Sequence, residues 1–159
     1  MENITADALV RALKAKNLHI STAESCTGGM IAAAITEVSG ASSVMELSVV
    51  SYSDRIKNQV LNVKAETLEK YTVYSAETAV EMVQGVLALG GADLAVAVTG
   101  VAGPNGGTEE KPVGLVYIAV GSIKDVWVKE FRFTGDRADI RRQTLNNALE
   151  MTLEYVEKI

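Results

Sequence analysis

The segment TAESCTGGM, residues 22–30, places several side chains capable of chemistry in front of a run of good helix formers, IAAAITEV. Ser25 is a candidate nucleophile, because the N–H groups and dipole of a helix N-terminus stabilise an oxyanion. The same position also suits an ordinary N-cap, since serine oxygens accept hydrogen bonds from unpaired helix amides. Gly28 and Gly29 each disfavour helix by about 1 kcal/mol relative to alanine, which favours close approach of a ligand to the backbone. The motif therefore predicts either a capped turn or a nucleophile at a helix end.

A serine nucleophile needs a base, and the sequence offers two candidates. His19 is the only histidine and lies within a predicted strand, so a Ser-His-Asp arrangement is poorly supported. Lys57 follows the second predicted strand and can act as a base if burial lowers its pKa. Otherwise it is a solvated surface charge. Tyr52, five residues before Lys57, is suited to relay a proton or to orient the amine of Lys57.

Cys26 offers an alternative nucleophile. With Glu24 and Lys57 it would complete a Cys-Glu-Lys set of the amidase kind. In an extended segment, residues 24 and 26 point one way and residue 25 the other, so only one nucleophile faces a cleft. Free cysteines are usually buried, which favours an inert thiol. One cysteine and one histidine do not supply the usual zinc ligands, so no metal site is expected.

Two further segments are suited to binding an anion. The loop TGVAGPNGGT matches neither a P-loop nor a dinucleotide fingerprint, because no helix is predicted after it. Its backbone amides at Gly106, Gly107 and Thr108 can form an anion nest, or the loop is a long flexible turn. In TGDRADIRR, Arg137 and Arg141 lie on one face near the start of the last helix, where they bind phosphate or carboxylate, or pair with surface carboxylates.

The bulk properties narrow the class of protein. The length of 159 residues fits one domain, and a net charge of −5 without a Lys/Arg cluster argues against a nucleic-acid partner. One cysteine makes no internal disulfide, the N-terminus MENITADALV does not resemble a signal peptide, and no apolar run approaches membrane-spanning length. We expect a cytoplasmic protein without a membrane partner.

The apolar pattern predicts the elements that position these residues. Ala6, Leu9, Val10 and Leu13 form the stripe of an amphipathic helix, and DLAVAVTG is typical of a buried central strand. The predicted strands cover 17–23, 44–52, 93–100, 113–121 and 126–134, and the predicted later helices cover 28–38, 53–61, 64–71, 76–89 and the segment after Asp136. This order predicts a three-layer α/β/α sandwich with a mixed β-sheet. The loops 22–29, 51–57 and 99–112 then share one rim if their strands are parallel.

Four stretches together resemble a known family. TAESCTGG, VVSYSDRIK, AVTGVAGPNGGTEEKPVG and FTGDRADIRR occur in the order and spacing of the CinA C-terminal domain family, also known as the PncC or nicotinamide-nucleotide amidase family. The resemblance covers nearly the whole chain and implies a single stand-alone domain over 1–159. Two stretches depart from it: LSVVSYSD replaces the usual GFVTYSN, and YTVYS stands where the family often has HGAVS.

The resemblance implies hydrolysis of the carboxamide of nicotinamide mononucleotide to nicotinic acid mononucleotide and ammonia, without a metal or cofactor. It implies that Ser25 is the nucleophile and that Lys57 and Tyr52 form the activating pair. The expected substrate-binding positions are Thr27, Gly28, Gly29, Thr99, Gly106, Gly107, Thr108, Arg137 and Arg141. A homodimer is expected, since the family often forms homo-oligomers. A nucleotide-binding or scaffolding module without turnover is the alternative from another class.

Overall fold

The structure is a computed structural model that describes residues 3–159; Met1 and Glu2, with which the predicted domain begins, lie outside the described residues. The helices are α1 (Ile4–Lys16), α2 (Met30–Glu37), α3 (Asp54–Leu61), α4 (Ala65–Tyr71), α5 (Ala76–Gly90) and α6 (Arg137–Lys158), with a short 3-10 helix at Ala41–Ser43. The strands are β1 (Ile20–Glu24), β2 (Met45–Val50), β3 (Leu94–Gly100), β4 (Leu115–Gly121) and β5 (Val126–Arg132). The predicted order of α-helices and strands is confirmed.

The strands form one mixed sheet in the order β2-β1-β3-β4-β5. Strand β1 pairs in parallel with both β2 and β3, whereas β4 pairs antiparallel with β3 and with β5. Because β1, β2 and β3 run in the same direction, the loops that follow them open on the same edge of the sheet. The shared rim expected from the sequence is therefore present.

Helices cover both faces of this sheet. In β3, Leu94, Val96 and Val98 point into a core shared with α1, α2 and α6, whereas Ala95 and Ala97 point into a second core shared with α5. This alternation follows from the pleat of a strand buried on both faces. The predicted three-layer α/β/α sandwich is confirmed. Within residues 3–159, no helix is long and apolar enough to cross a membrane.

Caps explain where several elements begin and end. The predicted caps Ser75 and Asp136 both accept backbone N–H groups at the starts of α5 and α6. The first strand begins at Ile20, later than predicted, because Asn17 ends α1 in the left-handed conformation with φ 53°. Gly29 has φ 102° and is the N-cap of α2, so this helix starts at Met30 rather than at residue 28.

Candidate active site

Ser25 and Lys57 meet at the rim where β1 and β2 end. Ser25 directly follows β1, and Lys57 lies on α3, which begins after the loop that follows β2. Lys57 Nζ is 2.9 Å from Ser25 Oγ. Lys57 is fully buried and Ser25 is 8% exposed, so bulk water has little access to the pair. The structure thus brings together the two residues that the sequence predicts as nucleophile and base.

The surroundings of Lys57 favour the neutral amine. Burial lowers its pKa from 10.5 to about 8, against the opposing influence of Asp54 and Cys26. About one-tenth of the lysine is then neutral at pH 7. Nζ also donates to the Ser51 carbonyl at 2.6 Å and makes a long contact of 3.5 Å with the Tyr52 carbonyl. Two carbonyl acceptors can take the two N–H bonds of a neutral amine, which leaves its lone pair for the Ser25 hydroxyl proton.

Glu24, rather than Ser25, caps helix α2. The Glu24 side chain is fully buried at the end of β1. It accepts four hydrogen bonds, from Thr27 Oγ1 at 2.5 Å, Gly29 N at 3.1 Å, Ile31 N at 3.1 Å and Ala32 N at 2.9 Å. The expectation that Ser25 is the N-cap is therefore wrong. These helix amides are also not free for an oxyanion, because a carboxylate already occupies them.

The turn after Ser25 leaves a different pair of amides unpaired, of which Thr27 is fully buried and Cys26 nearly so. The Gly28 N–H donates to the Ser25 carbonyl at 3.0 Å, which closes a turn over residues 25–28. Within the described part of the chain, the N–H groups of Cys26 and Thr27 donate to no protein acceptor. Gly28 and Gly29 have φ of 60° and 102° and precede the helix, so they carry no helix penalty. Their left-handed backbone accounts for the two glycines without a ligand.

Cys26 is placed as a core residue. Its side chain packs in the hydrophobic cluster beneath α2, and burial raises the pKa of the thiol to about 11. The amine of Lys57 contacts the Ser25 hydroxyl, and Glu24 is occupied by the cap, so the geometry does not assemble a Cys-Glu-Lys set. His19 precedes β1 at the opposite end from Ser25, and its backbone N–H donates to Asp93.

Tyr52 contacts Arg137 rather than the lysine amine. The Tyr52 hydroxyl accepts a hydrogen bond from Arg137 Nη2 at 2.9 Å, and Arg137 Nη1 donates to the Gly103 carbonyl at 2.8 Å. Only the main-chain carbonyl of Tyr52 approaches Lys57 Nζ. The predicted relay through the phenol is therefore not assembled in the structure. Tyr52 and Arg137 instead link the loop after β2 to the start of α6.

Arg137 and Arg141 line one cleft, as their spacing predicts. The cleft has a volume of about 640 Å³ and is also lined by Ala102, Pro104, Val113 and Ala138. Arg141 donates from Nε to the Cys26 carbonyl and from Nη2 to the Thr27 carbonyl, both at 3.0 Å. The cleft therefore adjoins the turn that carries Ser25.

The N-terminus of α6 contributes less to anion binding than the sequence suggested. Asp136 and Asp139 form a reciprocal capping box there, so carboxylates already accept the first amides of this helix. The positive end of the helix is therefore partly neutralised by the protein itself. A bound anion would depend on the guanidinium groups in the cleft.

The remaining predicted binding residues are arranged less directly. Thr99 is fully buried, and its hydroxyl donates to the Val73 carbonyl at 2.9 Å. Thr108 forms a local turn with Lys111 through both its N–H and its hydroxyl. Among the hydrogen bonds of residues 3–159, none joins Gly106, Gly107 or Thr108 to Ser25 or Lys57. Their contribution to substrate binding stays a prediction.

Two features of the site have no counterpart in the sequence analysis. The Ser51 hydroxyl is buried next to the carbonyl that holds Lys57, and it has no hydrogen-bond partner in the structure described here. Tyr74 is partly buried, and burial, together with the nearby Asp54 and Tyr52, raises the pKa of its phenol. The parallel register of β1 and β2 pairs Glu24 with Val50, which places Ser51 beside Ser25.

Of the described residues, no three His, Cys, Asp or Glu side chains are grouped to hold a metal ion.

Comparison with solved structures identifies close structural relatives. A competence-damaged protein (CinA) superfamily protein from Klebsiella pneumoniae matches with a TM-score of 0.94 and 36% identity, over 98% of this chain and 97% of that one. A protein of the same superfamily from Escherichia coli matches with a TM-score of 0.94 and 30% identity, over 98% and 90% of the two chains.

Sequence comparison also finds relatives that carry the CinA name. A CinA-like protein from Endomicrobium trichonymphae is 52% identical over 132 residues, which are 83% of this chain and 31% of the relative. The chain spans about a third of the length of the curated relatives it matches. The family model of the CinA C-terminal domain matches residues 2–156. The protein that places Ser25 against a buried lysine thus belongs to the CinA C-terminal domain family.

Proposed function

We propose that this protein is a serine amidase that hydrolyses the carboxamide of nicotinamide mononucleotide. The observation that carries the proposal is the 2.9 Å contact between Ser25 Oγ and the Nζ of a fully buried lysine. A buried amine with a pKa near 8 has the proton affinity that a general base needs close to neutral pH. The choice of nicotinamide mononucleotide among amides rests on the resemblance of the four motifs.

The proposed reaction begins with proton transfer from the Ser25 hydroxyl to neutral Lys57. The alkoxide attacks the carboxamide carbon, and the carbonyl oxygen of the substrate becomes an oxyanion. The unpaired N–H of Cys26, in the peptide that follows Ser25, is the proposed donor to it, since Thr27 is fully buried. The Lys57 ammonium then returns its proton to the leaving nitrogen, which departs as ammonia. Water, deprotonated by Lys57, hydrolyses the acyl-enzyme and regenerates Ser25.

The arginine-lined cleft suits the phosphate of a mononucleotide. Arg137 uses one N–H on Tyr52 and one on Gly103, which leaves further donors on its planar fork. Arginine recognises phosphate through paired N–H groups, and the cleft adjoins the Ser25 turn. In the proposed complex the phosphate lies against Arg137 while the amide reaches Ser25.

The test is ammonia release from nicotinamide mononucleotide by the purified protein, with and without a chelator. We expect turnover that persists with chelator, is lost in Ser25→Ala and is largely kept in Cys26→Ala. Ser25 provides the covalent route, whereas the Cys26 thiol packs in the core. A dead Cys26→Ala variant together with inactivation by iodoacetamide would assign the nucleophile to Cys26 instead.

The same experiment separates the amidase from a module without turnover. Such a module binds nicotinamide mononucleotide, as titration calorimetry would detect, yet releases no ammonia.

We also propose that the protein acts in the cytoplasm as a homodimer. Sedimentation equilibrium over a range of protein concentrations measures the oligomeric state.

A further inference from the structure

Arg141 is held against the turn that carries the nucleophile. Its Nε donates to the Cys26 carbonyl and its Nη2 to the Thr27 carbonyl, both at 3.0 Å. These contacts join residues more than a hundred positions apart in the sequence. The guanidinium therefore holds the two peptide units that follow Cys26 and Thr27.

Each of these carbonyls belongs to a peptide unit with an N–H on its other side. The Cys26 carbonyl shares a planar peptide with the Thr27 N–H, and the Thr27 carbonyl shares one with the Gly28 N–H. The Gly28 N–H closes the turn onto the Ser25 carbonyl, whereas the Thr27 N–H has no acceptor in the described chain. A charged donor on a carbonyl polarises the peptide and strengthens its N–H as a donor. Arg141 thus holds the backbone on both sides of Thr27 and with it the orientation of Cys26, whose own N–H is unpaired.

Other backbone amides near Ser25 already have acceptors and are not free to stabilise an oxyanion. The amides at the start of α2, those of Gly29, Ile31 and Ala32, are occupied by the Glu24 carboxylate. The Met30 N–H donates to the Thr27 carbonyl at 3.2 Å. The only amides left on the segment after Ser25 are therefore those of Cys26 and Thr27, among the residues that the structure covers.

The charge of Arg141 lies beside this turn and at the wall of the cleft. Over residues 3–159, no carboxylate lies within salt-bridge distance of its guanidinium, whereas the neighbouring Arg142 pairs with Asp139. The field of Arg141 favours the thiolate form of Cys26, although burial dominates and raises the pKa of that thiol to about 11. A negative charge that develops beside this turn meets the same favourable field.

We propose that Arg141 is a positioning residue of the amidase, which fixes the turn after Ser25 so that the Cys26 N–H serves as an oxyanion donor, instead of binding the phosphate of the substrate. This rests on the proposed serine amidase function. The sequence pattern alone places Arg141 beside Arg137 as a second phosphate ligand, and the contacts with the turn are what change its role. Loss of an oxyanion donor lowers kcat by about 100- to 1,000-fold, so loss of its alignment should lower kcat by about 10- to 100-fold.

The kinetic test compares Arg141→Met and Arg141→Lys with Arg142→Met, a matched change on the exposed surface of the same helix. For Arg141→Met we expect a similar fall in kcat on nicotinamide mononucleotide and on its riboside, with KM little changed. Arg141→Lys should lower kcat less than Arg141→Met does, because it keeps the charge but not the planar fork. It also serves as the folded variant if methionine disrupts the turn. Arg142→Met should keep the wild-type kcat. A loss confined to the phosphorylated substrate, or a lower melting temperature with unchanged kcat, would overturn the proposal.

A second measurement separates this proposal from the identity of the substrate. A fluorophosphonate phosphorylates serine nucleophiles with its P=O oxygen in the oxyanion site, so its rate of labelling at Ser25 reports the same donor. We expect labelling about 10- to 100-fold slower in Arg141→Met than in wild type or Arg142→Met. This result upholds the role of Arg141 even if nicotinamide mononucleotide is not hydrolysed. Equal labelling of all three proteins rejects it even if ammonia is released.

Discussion

Replacing Lys57 with methionine should remove a contribution to stability that grows with pH. Lys57 is fully buried, and burial lowers its pKa from 10.5 to about 8. The folded chain therefore releases this proton at about pH 8, whereas the unfolded chain keeps it until about pH 10.5. Between these values the unfolded state binds more protons at this residue, so the contribution of Lys57 to the free energy of unfolding rises with pH.

The size of the effect follows from the shift. One pKa unit corresponds to about 1.4 kcal/mol, so a decrease from 10.5 to about 8 corresponds to about 3 kcal/mol. The wild type should gain this amount relative to Lys57→Met as the pH rises across that window. Burial raises the pKa of Cys26 from 9.0 to about 11, which lowers stability over that range. Both proteins carry Cys26, but Lys57 also lowers the pKa of this thiol, so part of the Cys26 contribution remains in the difference between them.

The assay is urea unfolding of both proteins at about pH 7, 8, 9 and 10, analysed by linear extrapolation. Lys64→Met, at an exposed lysine before α4, is the control, and its difference from wild type should not change over this window. The reasoning fails if the difference between wild type and Lys57→Met is constant from pH 7 to 10. That result would mean that Lys57 keeps its proton in the folded protein and is not poised to act as a base.

Three further outcomes are expected. First, kcat/KM should rise with pH through a limb near the Lys57 pKa of about 8, and a flat profile across neutral pH would contradict a lysine base. Second, Arg137→Ala should lower kcat/KM about tenfold or more for the mononucleotide but much less for the riboside, because a charge-assisted contact contributes roughly 1.5–3 kcal/mol. Equal losses on the two substrates would remove the phosphate role. Third, Glu24→Gln should destabilise the fold by roughly 2–3 kcal/mol, since a buried carboxylate accepts four hydrogen bonds that an amide cannot all accept. Glu37→Gln, on the exposed side of α2, is its control in thermal unfolding, and equal melting temperatures for the two variants would show that the cap contributes little.

The layers of the fold were predictable because they depend on local patterns. The stripe of α1 and the apolar run of β3 each record which face is buried, and the order of the elements then requires helices on both sides of the sheet. The positions of Ser25 and Lys57 followed from the same logic, because Ser25 directly follows one parallel strand and Lys57 lies on the helix after the next. Burial of the lysine, on which its basicity depends, is a property of the packed structure that the pattern did not record.

The partners of the site residues were not predictable in the same way. Glu24 caps α2 from the end of a strand, outside the sequence positions where caps are normally sought. Arg141 reaches the Ser25 turn, and Tyr52 reaches Arg137, across most of the chain. Such contacts depend on the side-chain directions of elements that meet only after folding. Spacing alone therefore placed Arg141 and Arg137 in one role, whereas their contacts in the structure differ.

Helix α6 is the last element of the chain, and it supplies both arginines of the cleft. Roughly 80 residues separate Lys57 from Arg137. A ribosome adds about 5–20 residues per second, so the lysine is synthesised roughly 4–16 s before the first of these arginines. During that interval a growing chain contains the serine and its base but neither phosphate ligand nor aligned oxyanion donor. In the proposed mechanism, the order of synthesis delays hydrolysis until α6 has docked against α1 and the sheet.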